Sequence, residues 1–195
     1  LDPFISIHAQ LDPDRPAVDL FRVRTPVPQF LRTFALDEFD GEGWRSSDPD
    51  GSEGGQTVTV PTVLPQTQRY SPPADSETQP YTITVLSDFD PGHALPMAQT
   101  PEEITAGDLG DVTWDPYLER AFVDGGLAAG LEYTFRTRIV VPTPEELDQV
   151  QDLPSAQYGQ WTELPDDLDP RLGQIARGWT ENATSAYDKV LAIQR

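Results

Sequence analysis

The 195-residue chain contains no cysteine, a single lysine (Lys189) and two histidines. Without cysteine there is no disulfide, no thiolate zinc site and no cysteine nucleophile. His8 and His93 are too few for a multi-histidine metal centre, and they leave a Ser-His-Asp triad with two candidate bases at most. No run of 18 apolar residues occurs, so no segment reads as a membrane-spanning helix. The opening LDPFISIHAQLDPDRP lacks the basic start and apolar stretch of a signal peptide, and is expected to be the interior of a longer protein.

Apolar residues make up only 37% of the chain, while 20 prolines are about twice ordinary usage. That proline density excludes long helices over much of the chain and favours short strands joined by fixed turns. Acidic residues outnumber basic ones 33 to 13, a net charge of −20. Nucleic acid and anionic membrane surfaces need a basic face, so neither is expected as the main partner.

Periodicity places a first strand at Ala17 to Arg24 and a second, after the proline-rich TPVPQ, at Phe30 to Asp37. TVTVPTV, residues 57–63, reads as a third strand that Pro61 confines to an edge or an end. Residues 64–80 read as a polar loop. Tyr81, Ile83 and Val85 then alternate with Thr82 and Thr84, and Val112 and Trp114 share one face of a short strand. Residues 91–106 read as irregular, with one short strand at Leu95. The strongest alternation runs from Leu131 to Val141: Leu131, Tyr133, Phe135, Ile139 and Val141 on one face, Glu132, Thr134, Arg136 and Arg138 on the other.

After Pro144 the pattern changes to helical starts. Thr143 with Glu146 three residues on forms a capping box, and Asp169 followed by Pro170 opens a second helix. Leu172, Ile175, Ala176 and Trp179 fall on one face of that helix, which predicts Trp179 in a core. Ser185 with Asp188 opens a third. The expected fold is mainly β (α+β overall): an antiparallel β-sandwich or open barrel over residues 1–142, followed by C-terminal helices over 143–195.

The candidate sites each have a plainer reading. LRTFALDEFDGEGW, residues 31–44, offers Asp37, Glu38, Asp40 and Glu42 as paired carboxylates for glycoside hydrolysis, with Trp44 as a sugar platform. The preferred reading is ordinary turn chemistry, in which Asp caps, Gly supplies positive φ, and Arg32 pairs with one of these acids. Asp48, Asp50 and Glu53 in the 48–55 loop could face a hard cation but lack EF-hand spacing, so no metal is expected. Trp114, Tyr117 and Trp161 are candidate binding aromatics for a glycan or peptide groove, although aromatics in a β-domain this size are more often core. His93 reads as a surface loop residue, and Asn182-Ala-Thr184 matches a glycosylation sequon. No catalytic set and no cofactor site emerges from the residues alone.

Taken in order, DPFISIHAQLD, FLRTFALDEFDGEGW, LEYTFRTRIVVPTPEEL and LPDDLDPRLGQIARGWTENATSAYDKVLAIQR resemble the bacterial membrane-bound transglutaminase-like proteins of the TgpA type. The resemblance implies a β-rich extracytoplasmic domain whose last helices lead into a transglutaminase-like core. Catalysis in that superfamily needs a cysteine at a helix start with a histidine and an aspartate. With no cysteine here, none of that set carries over, and this chain is expected not to be the enzyme. What the resemblance implies is a non-catalytic accessory domain, extracytoplasmic and attached to the membrane through other segments. Its partner would be the transglutaminase-like core, with a cell-envelope protein or peptide as a further one. Arg32, Asp37, Asp40, Gly41 and Trp44 would then be a structural motif fixing a strand-turn corner. The alternative is a cell-envelope module binding glycan or peptide.

Overall fold

A computed structural model describes residues 18–33, 35–48, 54–66, 76–88, 93–150 and 162–195. The chain divides into two compact units, one of Leu1–Ala35 with Asp48–Val140 and one of Leu36–Ser47 with Val141–Arg195. Residues 36–47 are thus grouped with the C-terminal helices.

The first unit is built on two antiparallel sheets. A five-stranded sheet runs β1 (Phe21–Arg24), β6 (Glu77–Val85), β10 (Glu132–Ile139), β7 (Pro101–Gly107), β5 (Thr62–Val63). A three-stranded sheet runs β4 (Gln56–Thr59), β8 (Asp111–Asp115), β9 (Arg120–Val123). Alternation decides which side each strand buries. Tyr81, Ile83 and Val85 of β6 and Tyr133, Phe135 and Thr137 of β10 are all buried, and their neighbours in sequence face the other way. Val112 and Trp114 of β8 and Ala121 and Val123 of β9 join them, with Ile104, Leu95 and Met97, in one core. This is a two-sheet, sandwich-like packing rather than a closed barrel. At its centre the Tyr81 and Phe135 rings stack with centroids 5.2 Å apart. Two buried hydroxyls of β10 find backbone partners: Tyr133 donates to Pro96 O at 2.8 Å, and Thr137 donates to Gln99 O. Burial alone pushes the Tyr133 hydroxyl well above its ordinary pKa.

Several expectations change in detail. The strand expected at 30–37 reduces to one bridge, Arg32 with Met97, whose backbone bonds are 2.9 and 3.0 Å. TVTVPTV splits at the cis Val60–Pro61 bond into β4 and β5, which join different sheets. β7 lies in the stretch read as irregular, and β9 was not anticipated. Where β7 ends, Gly107 (φ +144°) stands opposite Tyr133, and a Cβ there would lie 2.8 Å from the tyrosine Cβ, so only glycine fits.

In the second unit, β2 (Glu38–Phe39) pairs with β3 (Trp44–Arg45) as a short hairpin, and among the described residues the helices α1 (Pro144–Asp148), α2 (Pro170–Trp179) and α3 (Ala186–Gln194) follow. All three caps take the form expected. Thr143 and Glu146 make a reciprocal capping box, Asp169 accepts from Arg171 N, and Ser185 accepts from Asp188 N.

Candidate functional site

The acidic hairpin shows what its carboxylates do. Asp37 accepts from Ser47 N at 2.8 Å and from the Ser47 hydroxyl at 2.6 Å, closing the base of the loop. Asp40 accepts from Gly43 N at 2.8 Å and Glu42 N at 3.0 Å, closing its tip. Those amides, Gly43 first, hold the Asp40 carboxyl below its ordinary pKa. Both acids are thus engaged in closing the hairpin, as ordinary turn chemistry uses them, rather than set as a free pair across a cleft. Gly41 (φ +99°) makes the turn, and a Cβ there would lie 3.6 Å from Pro165 Cγ, so the tip rests beside the segment leading into α2. Across the hairpin Glu38 pairs with Arg45 at 2.8 Å, and the Phe39 and Trp44 rings lie 5.2 Å apart. Trp44 remains about half exposed.

The two stems of this excursion are held in the first unit by consecutive residues of the turn between β8 and β9. Arg32, on the outgoing stem, pairs with Glu119 at 2.8 Å and donates to the Glu119 carbonyl at 3.2 Å. This corrects the expected pairing of Arg32 with the hairpin acids. On the returning stem, the Asp48 carbonyl accepts from Arg120 Nη2 at 2.5 Å. Arg120 also pairs with Asp115 at 2.9 Å, both side chains essentially buried, and its guanidinium lies 5.0 Å from the centre of the Phe122 ring. Asp115 in turn accepts from Tyr117 N and Leu118 N, shaping the turn that presents Glu119 and Arg120. Glu119 sits at φ +51°. Sequence reasoning missed Asp48, Asp115, Glu119 and Arg120 as a group. The available signal was DPYLER, an acid-turn-acid-base string between two short apolar runs.

The candidate binding aromatics do not assemble. Trp114 is fully buried and donates its indole N–H to Pro65 O at 2.6 Å, so no ligand can stack on it. Tyr117 is half-buried in the turn after β8, and Trp161 lies outside the described residues. Trp179, expected in a core, is 62% exposed. His93 is an exposed turn residue at φ +66°. Of the 48–55 acids, Asp48 is buried and accepts from Gly54 N at 3.3 Å, while Asp50 and Glu53 lie outside the described residues. Among the described residues no cluster of three or more His, Asp or Glu could hold a metal ion, and no helix is long and apolar enough to cross a membrane.

What the second unit does present is an apolar helical surface. None of the residues of α1, α2 and α3 is buried, although α3 packs against both other helices. Leu172, Ile175 and Trp179 on α2 and Val190 and Ile193 on α3 are each about half exposed. Residues spaced i, i+3, i+7 on a helix normally mark the face turned to a core.

The profile of the family described as TgpA N-terminal domain matches residues 1–144. No curated protein and no solved structure matches the chain. The match spans the whole first unit and the hairpin and ends at the start of α1, and the chain belongs to the TgpA N-terminal domain family.

Proposed function

We propose that this chain is a non-catalytic, extracytoplasmic accessory domain of a membrane-anchored transglutaminase-like protein, and that its second unit couples the β-domain to the catalytic core. Membership of the TgpA N-terminal domain family supports the accessory role. The observation that carries the coupling role is the row of exposed apolar side chains, Leu172, Ile175, Trp179, Val190 and Ile193, on helices that bury nothing. Large apolar side chains left exposed at core-face spacing along a helix are the kind of surface an interaction partner covers. In this reading Asp37, Asp40, Gly41 and Trp44 shape the hairpin as part of the coupling unit. Arg32, with Glu119, fixes the stem that leads to it. The core of the same protein is the partner, and the domain helps to position it and to shape access for protein or peptide substrates.

The test compares residues 1–195 with the full protein in thiol-dependent acyl-transfer and peptidase assays. Activity only in the full protein, abolished by alkylation and reduced by Ile175→Ser with Trp179→Ser, is the expected result. Activity in the cysteine-free chain, or full activity in the double variant, would overturn the reading.

A further inference from the structure

The outward face of the five-stranded sheet carries a regular series of arginines. Along β6 the residues turned away from the core are Thr84, Thr82, Pro80 and Thr78. Each has an arginine beside it in register: Arg22 opposite Thr84 and Arg24 opposite Thr82 on β1, Arg136 opposite Pro80 and Arg138 opposite Thr78 on β10. Successive rows are two residues apart, a repeat of about 6.8 Å along the strand. In a chain of net charge −20 this placement stands out. Arg32 and Arg120 are committed to the β8–β9 turn, so every other described arginine of the first unit lies on this face.

The fourth rung shows which ligand such a row takes. Arg138 holds Glu102 through two parallel bonds, Nε to Oε1 at 2.5 Å and Nη2 to Oε2 at 3.0 Å, the fork geometry that suits a carboxylate. The other three rungs lack that partner. Arg22 and Arg24 are exposed and form no ion pair among the described residues, and Arg136 makes only a 3.5 Å contact to Thr78 O. Two further acids share the face. Glu132 accepts from the Thr84 hydroxyl at 2.9 Å, and Glu103 stands opposite Arg136 in the ladder without pairing within 4 Å. The hydroxyls of Thr82 and Thr134, 3.1 Å apart, fill the space between the arginine rows.

We propose that this face binds an extended acidic polypeptide segment, laid along β6, whose alternate residues are Asp or Glu. An extended chain repeats its side-chain direction every second residue, the same spacing as the rungs. Carboxylates at those positions would meet Arg22, Arg24 and Arg136 in turn, each as Glu102 meets Arg138. A second copy of this face would bring arginine against arginine, which disfavours self-association through it. A phosphate polymer shares the charge but has no reason to follow the pleat.

The experiment uses the whole chain and fluorescently labelled twelve-residue peptides in about 0.1 M salt, where screening confines the repulsion of the acidic surface to short range. The probes are a peptide of alternating Glu and Ser, a block peptide of the same composition, and polyphosphate. The alternating peptide is expected to bind more tightly than the block peptide and polyphosphate, and more weakly as salt rises. Arg22→Gln, Arg24→Gln and Arg136→Gln should each weaken it about 2- to 5-fold, as for exposed ion pairs, and together by about tenfold or more. Arg177→Gln, on α2, should leave it unchanged. A thermal melt of each variant separates lost binding from lost folding. Equal binding of alternating and block peptides, preference for polyphosphate, no binding of any probe, or an unaffected triple variant that melts normally would each overturn the proposal.

Discussion

The two units use the same kinds of local signal and differ in what they bury. In the first, β6, β8, β9 and β10 each put side chains fully inside, and Trp114, Tyr81 and Phe135 anchor one continuous core. In the second, the caps of α1, α2 and α3 and the hairpin turn are all made, yet no residue of these three helices is buried. Capping and turn formation define where an element begins and bends, and contribute about 0.5–2 kcal/mol at each cap. Independent stability comes from removing apolar surface from water, about 1.5–3 kcal/mol for each large side chain. A domain with a core and capped helices whose described residues are not buried therefore stand at opposite ends of local stability.

Substitutions at the two extremes should separate them. The largest effect is expected from Trp114→Ala, which leaves a cavity in the core and an unmet Pro65 carbonyl. It should cost the first unit about 4 kcal/mol in denaturant unfolding, whereas Trp179→Ala in the isolated chain should stay within about 0.5 kcal/mol. Next is Asp115→Ala, which strands the buried Arg120 guanidinium and unties the turn. A loss of about 3 kcal/mol is expected, with the returning stem at Asp48 showing faster amide exchange. Gly107→Ala should follow at about 1–3 kcal/mol, because the new methyl would meet Tyr133 at a backbone angle that alanine avoids.

The smallest effect distinguishes the units by pH. Hydrogen bonds hold four carboxyls of the second unit below their ordinary pKa: Asp40 by Gly43 N, Glu146 by Thr143 N, Asp169 by the Arg171 side chain, and Asp188 by the Thr184 hydroxyl. A depressed folded-state pKa stabilises fully above the unfolded values of 3.8 for Asp and 4.5 for Glu, and that contribution is lost as pH falls through the lower folded values. Far-UV circular dichroism from about pH 5 down to about pH 2 should show a gradual loss of helical signal. Glu146→Gln should flatten the early part of that loss, because a neutral side chain no longer titrates.

Much of this was legible in the sequence where the signal is local. Strict alternation located β10 and the second half of β6, from Tyr81 to Val85, and assigned their faces, while residues 77–80 of β6 read as loop. Thr143 with Glu146, Asp169 with Pro170, and Ser185 with Asp188 marked three helix starts within a residue. What escaped depends on distant partners. β7 begins at Pro101 and carries Glu102 and Glu103, so by itself it reads as loop. It is a strand because β10 and β5 pair with it on either side. Arg32 finds its acid 87 residues away at Glu119, where proximity in sequence favoured the hairpin. Trp179 marks a different limit: helical periodicity shows that a face is apolar, but not that anything covers it.

The central claim is that the β-domain holds itself together while the helical unit relies on burial supplied by a partner. Native-state hydrogen exchange on residues 1–195, set beside the full protein, tests it most directly. The account predicts that β6 and β10 amides exchange only with global unfolding in both, whereas α2 and α3 amides exchange by local opening in the isolated chain and become protected in the full protein. Helices protected as strongly as β6 and β10 in the isolated chain, or no gain in their protection in the full protein, would contradict it.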